Sequence, residues 1–120
     1  MIINKLWFFI ALFFSIFIFF IIFLAYEDLI PKIITFIPAY DYIGHLILYG
    51  FWGLSFHKAL SEKTKFGVSI GGIIIALVAV IEEILQRTSY VRTFSLIDLG
   101  FGLLGIAVFI YVYQIVLSRK

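Results

Sequence analysis

The sequence predicts an all-α integral membrane protein, a bundle of four transmembrane helices with both chain termini in the cytoplasm. The chain has 120 residues, of which 64% are hydrophobic and 13% are charged, whereas a soluble domain averages about 25% charged residues. The apolar residues form four runs, each long enough to cross about 30 Å of hydrocarbon as a helix. The runs are continuous rather than alternating, which argues against the strands of a membrane barrel.

We expect a single transmembrane domain over residues 1–120. The predicted helices cover residues 6–26, 41–60, 66–86 and 95–117. The first run is longer than the apolar part of a signal peptide and no small-residue cleavage site follows, so we interpret it as a retained helix. The connection at residues 61–65 is short, so the second and third helices should be antiparallel neighbours.

The basic residues predict the orientation, because cytoplasmic loops carry an excess of Lys and Arg. Six of them fall on one side of this topology, namely Lys5, Lys58, Lys63, Lys65, Arg119 and Lys120. Three fall on the other side, namely Lys32, Arg87 and Arg92. We therefore expect a multi-pass membrane protein with cytoplasmic termini and the bilayer as its main partner.

The composition also excludes several function classes. The chain has no cysteine, so a disulfide, a thiolate nucleophile and a cysteine-based metal site are excluded. A net charge of +2 is too small to indicate a nucleic-acid partner. We expect no cofactor and assign no metal ligand.

A column of polar residues opens the second predicted helix. Asp41, His45 and Tyr49 are four residues apart, so they lie on one face of a helix. An ionisable group inside a membrane segment costs at least about 2.5–3.5 kcal/mol at the centre, so such groups face partners or a cavity. His57 falls at the opposite end of this helix, and we interpret it as a residue of the inner interface.

The alternating helix directions bring further polar residues to the same depth, at the outer surface. Helix three ends there and helix four begins there, so their polar residues should share one site with the column. The candidate catalytic residues are His45, Asp41 and Glu83. The candidate ligand-binding residues are Tyr49, Gln86, Arg92, Ser95 and Asp98. Their depth follows from the topology, whereas their lateral convergence does not.

Several of these residues have a local structural explanation. Asp41 suits the N-cap of helix two, and Ser95 with Asp98 matches a capping box. Glu83 and Arg87 are spaced for a salt bridge within one helix.

The glycines have a packing explanation, because small residues let membrane helices approach closely. They are Gly67 and Gly71 at the start of helix three, and Gly102 and Gly105 on helix four.

The polar residues form two ordered signatures that resemble the VanZ-like family of small bacterial membrane proteins. The first signature of that family has the form D-K-x-x-H-x-x-x-Y, and this chain reads "DYIGHLILY". Asp41, His45 and Tyr49 match, while Tyr42 stands where lysine is usual.

The second signature has the form E-x-x-Q, a short loop, then R-x-x-S-x-x-D-x-x-x-N-x-x-G. Here it reads "EILQRTSYVRTFSLIDLGFGLLG". The matching residues are Glu83, Gln86, Arg92, Ser95, Asp98 and Gly105. Gly102 stands where asparagine is usual, and the resemblance covers residues 41–105.

The resemblance implies a protein of the bacterial inner membrane with a link to glycopeptide (teicoplanin) resistance. Our first hypothesis is recognition or modification of an anionic or lipid-linked envelope molecule at the outer face. Arg92 would contact its anionic head group. His45, held by Asp41, would act as general base or acid, with Glu83 as a second acid–base group. Whether the chain is an enzyme stays open at this point.

The alternative is a non-catalytic accessory subunit, whose buried polar network fixes the helices while an envelope protein partner does the chemistry. A small transporter is disfavoured, because residues 6–25 carry no charged side chain. A metal site formed by His45 with Asp41, Glu83 and Asp98 is a further alternative, since carboxylates suit Mg²⁺ or Mn²⁺. One histidine with scattered carboxylates is a weak signal for it.

Overall fold

The structure, a computed structural model, describes residues 3–27, 40–86 and 96–117, with the backbone alone for Tyr26, Tyr40 and Asp41. This part of the chain is mostly helical, as predicted, and contains four α-helices. They are α1 (Lys5–Tyr26), α2 (Tyr40–Ala59), α3 (Ile70–Leu85) and α4 (Leu96–Val112). A π-helical segment, Tyr113–Leu117, extends α4.

The first helix begins at a side-chain cap and packs antiparallel to α2. The Asn4 carboxamide oxygen accepts from the backbone N–H of Trp7 at 3.2 Å, which satisfies one of the free donors of the first turn. The backbone N–H of Asn4 donates to the carbonyl of Ala59 at 2.9 Å. Further along, the Trp52 indole donates to the Ser15 hydroxyl at 2.8 Å, so polar groups join the two helices at two levels.

A β-hairpin separates α2 from α3. Strands β1 (Thr64–Lys65) and β2 (Val68–Ser69) are antiparallel, and the turn residues Phe66 and Gly67 have φ of 56° and 78°. Two left-handed residues in a two-residue loop suit the twist of a hairpin.

This hairpin corrects the prediction for the third helix. The helix begins at Ile70 rather than at residue 66, because the left-handed turn interrupts the apolar run. The Ser69 hydroxyl caps the new start by accepting from the Gly72 N–H at 3.0 Å. The predicted helical glycine pair is therefore wrong for Gly67, which lies in the turn, and holds only for Gly71.

The second helix is the centre of the molecule and contacts α1, α3 and α4. It runs parallel to α4, since Tyr42 stacks on Phe101 at one end with ring centroids 5.4 Å apart and Lys58 contacts Tyr113 at the other. The directions of α1 and α3 are opposite to these two. Ser55 and His57 of α2 are fully buried among these helices.

The core is small and the outer surface is apolar. Trp52 and Ile75 are among the fully buried side chains, whereas Phe13 on α1 is 70% exposed and belongs to a long series of exposed aromatic and aliphatic residues. Two segments among the described residues, Lys5–Ala25 and Leu96–Leu117, are long and apolar enough to cross a membrane. That finding rests on length and composition only.

Candidate functional site

Three of the predicted site residues, each from a different helix, lie together at one end of the bundle. His45 comes from the first part of α2, Glu83 from the last turn of α3, and Asp98 from the first turn of α4. One ligand atom from each side chain lies within 4.8 Å of the other two. The three helices meet this way because α2 and α4 are parallel and α3 is antiparallel to them.

The histidine is the partly open member of this three-residue cluster. Its Nε2 lies 4.0 Å from Glu83 Oε1, and the side chains of His45 and Glu83 are 14% and 2% exposed. The His45 ring stacks on Tyr49 with centroids 5.7 Å apart and an angle of 24° between the planes. Tyr49 is buried and contacts Trp52 in turn. The predicted column therefore continues inward as a row of rings that holds the imidazole in place.

A second polar pair lies beside the cluster at the end of α3. The Gln86 amide donates to Glu82 Oε2 at 2.6 Å, and both side chains are buried. Gln86 was predicted to belong to the site, whereas Glu82 was not among the assigned residues. Its spacing of four from Gln86 and its position next to Glu83 are the signals that point to it.

Other predicted site residues lie outside the part that the structure describes. They are Arg92, Ser95 and the side chain of Asp41. The capping box at Ser95 and the salt bridge between Glu83 and Arg87 lie partly outside it as well. The backbone of α2 begins at Tyr40, so Asp41 lies in the first turn of the helix rather than before it.

The described part of the site has more acids than bases. Glu82, Glu83 and Asp98 are buried carboxyl groups, and His45 is the base among the described residues of the cluster. Asp98 lies in the first turn of α4, where the helix dipole stabilises a negative charge. Glu82 and Glu83 lie near the end of α3, where the helix dipole destabilises a negative charge. Buried carboxylates are stabilised by hydrogen-bond donors or by cations, and the Gln86 amide is such a donor for Glu82.

The opposite end of the bundle carries a separate polar cluster. The Lys58 ammonium donates to Glu62 Oε2 at 2.9 Å and to the Tyr113 hydroxyl, and that hydroxyl donates to Glu62 Oε2 at 3.1 Å. The hydrogen bond from Lys58 holds the pKa of Glu62 below its usual range. Since Glu62 follows α2 and Tyr113 follows α4, the cluster ties these two helix ends together.

His57 lies beside this cluster, in the last turn of α2. The side chain is fully buried, with Nδ1 2.7 Å from the Ser69 hydroxyl. The hydroxyl also caps α3, so His57 helps to fix the start of that helix.

The fold and the polar cluster define a mostly helical protein with two helices that are able to cross a membrane and a three-helix polar site. No protein-family model, curated protein or solved structure matches the chain. The resemblance to the VanZ-like family therefore stays a prediction from the two signatures.

Proposed function

We propose that the chain is a multi-pass protein of the bacterial inner membrane, with four crossing helices and cytoplasmic termini. The apolar exterior supports this arrangement, because α1 exposes large hydrophobic side chains on most of its surface and such a helix belongs in lipid. The alternating directions of the helices also suit four successive crossings.

The two less apolar helices fit this arrangement for physical reasons. Tyr49, Ser55 and His57 of α2 are buried inside the bundle, so they would not meet lipid. Helix α3 has 16 residues, or about 24 Å at 1.5 Å per residue, and bilayers thin locally around short helices at modest cost.

We propose further that the cluster at the outer end binds or modifies an anionic or lipid-linked envelope molecule. The observation that carries this proposal is the convergence of His45, Glu83 and Asp98 from three helices to within 4.8 Å. His45 is partly exposed and lies near a buried carboxylate, which suits a proton donor or acceptor for a ligand. Arg92 would supply the positive charge for the head group.

A substitution of His45 tests the proposal. Cells expressing the wild-type chain should grow at a higher teicoplanin concentration than cells lacking it, and His45→Ala should abolish the difference at a normal membrane level. The matched control is Glu62→Gln, which removes a carboxylate at the opposite end and should keep the protection. Full protection by His45→Ala would refute a role of the imidazole in the function.

A non-catalytic accessory subunit is the second candidate, favoured by the depth of burial at the site. Glu83 and Gln86 are each 1% exposed, as expected of a network that holds helices together. In that case Glu83→Gln should melt at a lower temperature or fail to accumulate in the membrane. Under the first proposal it should accumulate normally and lose teicoplanin protection.

A further inference from the structure

We propose that His45, Glu83 and Asp98 bind one divalent transition-metal ion of the Mn²⁺ or Zn²⁺ class. From the sequence, a metal site at these residues was only an alternative, and no metal ligand was assigned. The proposal concerns a ligand that the proposed envelope function does not include. Binding of the ion does not depend on the proposed function. A part of the ion in holding an envelope molecule does rest on the proposed function.

The distances between the donor atoms suit a shared ion. His45 Nε2 and Glu83 Oε1 are 4.0 Å apart, which is too long for a hydrogen bond. Two atoms that each lie about 2.1 Å from one metal ion are at most about 4.2 Å apart. The Asp98 carboxylate completes the group within 4.8 Å, so small side-chain rotations bring all three donors onto one ion.

The donor types decide the class of metal. One imidazole nitrogen and two carboxylates form a mixed nitrogen and oxygen set, which suits Mn²⁺ and Zn²⁺ better than the all-oxygen shells that Mg²⁺ and Ca²⁺ prefer. Three protein ligands leave coordination positions for water or substrate. The His45 side chain is 14% exposed, so water reaches the cluster there.

The charge of the site favours a cation as well. Three buried carboxyl groups, those of Glu82, Glu83 and Asp98, lie at or beside the cluster together with the imidazole of His45. A divalent ion offsets this negative charge in a region where water does so poorly. An ion held by these acids would add a second contact to a phosphate, beside the positive charge that Arg92 would supply.

Binding is measured on the purified full-length chain in detergent, with the metal alone as the probe. Free Mn²⁺ is followed by electron paramagnetic resonance, and Zn²⁺ is titrated by calorimetry. We expect one ion per chain, with affinity at least about tenfold weaker in His45→Ala, Glu83→Gln and Asp98→Asn, since even outer-shell changes at metal sites cost about 10–100-fold. Glu62→Gln should bind as the wild type does.

A melting curve with and without Mn²⁺ separates lost binding from lost folding. The ion should raise the melting temperature of the wild type and of Glu62→Gln, and should raise that of folded Glu83→Gln less at the same concentration. The proposal is overturned if the wild type shows no saturable binding or if Glu83→Gln binds equally well. Binding that appears only in Arg87→Ala/Arg92→Ala would also overturn it, because guanidinium groups would then fill the site.

The metal site and the proposed function can be refuted independently of each other. Metal binding by the wild type, together with full teicoplanin protection in His45→Ala, would refute the role of the imidazole in the proposed function and keep the metal site. Loss of teicoplanin protection in His45→Ala, with no metal binding by the wild type, would refute the metal site and keep the proposed function.

Discussion

Glu62 accepts hydrogen bonds from both Lys58 and Tyr113, and the hydrogen bond from Lys58 is the largest cause of its lowered pKa. A carboxyl group whose pKa falls on folding stabilises the folded state above its unfolded pKa. That contribution is lost as the pH falls through the lower folded value. The side chain is 38% exposed, so water weakens the pair and the contribution stays below about 1 kcal/mol.

We therefore expect Glu62→Gln to melt slightly below the wild type at about pH 6, which is above the ordinary glutamate value of 4.5. The difference should shrink as the pH falls to about 3, because the wild-type carboxyl is then becoming protonated. Melting of both proteins in detergent across this range measures it. A difference that grows on acidification would contradict the assigned hydrogen bonds.

Single residues also show what the sequence can and cannot reveal about the site. His45, Glu83 and Asp98 are conspicuous because ionisable groups are costly in apolar helices, and helix direction predicts their depth. Their lateral contact depends on which helix faces which, and that is decided by packing. The hydrogen bond between His57 and Ser69 was not predicted. The hairpin that brings Ser69 back to α2 lies in an apolar run, so the sequence does not mark it.

Glycines set the distance between the helices of the bundle. A Cβ atom on Gly105 of α4 would lie 2.0 Å from the carbonyl oxygen of Leu46 on α2, and one on Gly71 of α3 would lie 2.4 Å from the backbone nitrogen of His57. Both clashes are with backbone, which cannot rotate away. The predicted role in close packing is therefore supported by geometry at these two positions.

We expect Gly105→Ala to lower the free energy of unfolding by about 1–3 kcal/mol, the usual cost of overpacking. Thermal melting in detergent and the level of the protein in membranes measure this. Gly100→Ala is the matched control on the same helix, since no atom lies within 4 Å of a Cβ built there. Equal melting temperatures for the two variants would contradict the close approach of α2 and α4.

The boundaries of the elements were predictable where polarity changes sharply. Helix α1 begins one residue before the predicted start, and the described parts of α2 and α4 begin within one residue of theirs. The start of α3 was missed by four residues, because Phe66 and Val68 are as apolar as the helix that follows. Phenylalanine does not favour the left-handed backbone conformation, so Phe66 does not indicate from the sequence that a turn lies there.

At the scale of the whole molecule, the order of the helices determines what the site is made of. Because α2 contacts every other described helix, His45 lies close to polar residues at the end of α3 and at the start of α4. Parallel packing of α2 and α4 places His45 and Asp98 at the same end, and antiparallel α3 adds Glu83. The alternation was predictable from short connections, whereas the central place of α2 emerges only from the packing.

The orientation of the molecule decides which side of the membrane the site faces, and the absence of cysteine makes it directly measurable. Glu27 at the end of α1 and Lys65 in the hairpin are both exposed and lie at opposite ends of α1 and α2. In spheroplasts, a membrane-impermeant maleimide should label Glu27→Cys at once and Lys65→Cys only after permeabilisation, because six of the nine basic residues lie on the predicted inner side. Ala79→Cys, in the buried core, should resist labelling in both conditions and so exclude unfolded protein. Labelling of Lys65→Cys before permeabilisation would invert the topology and move the cluster of His45 to the cytoplasmic side.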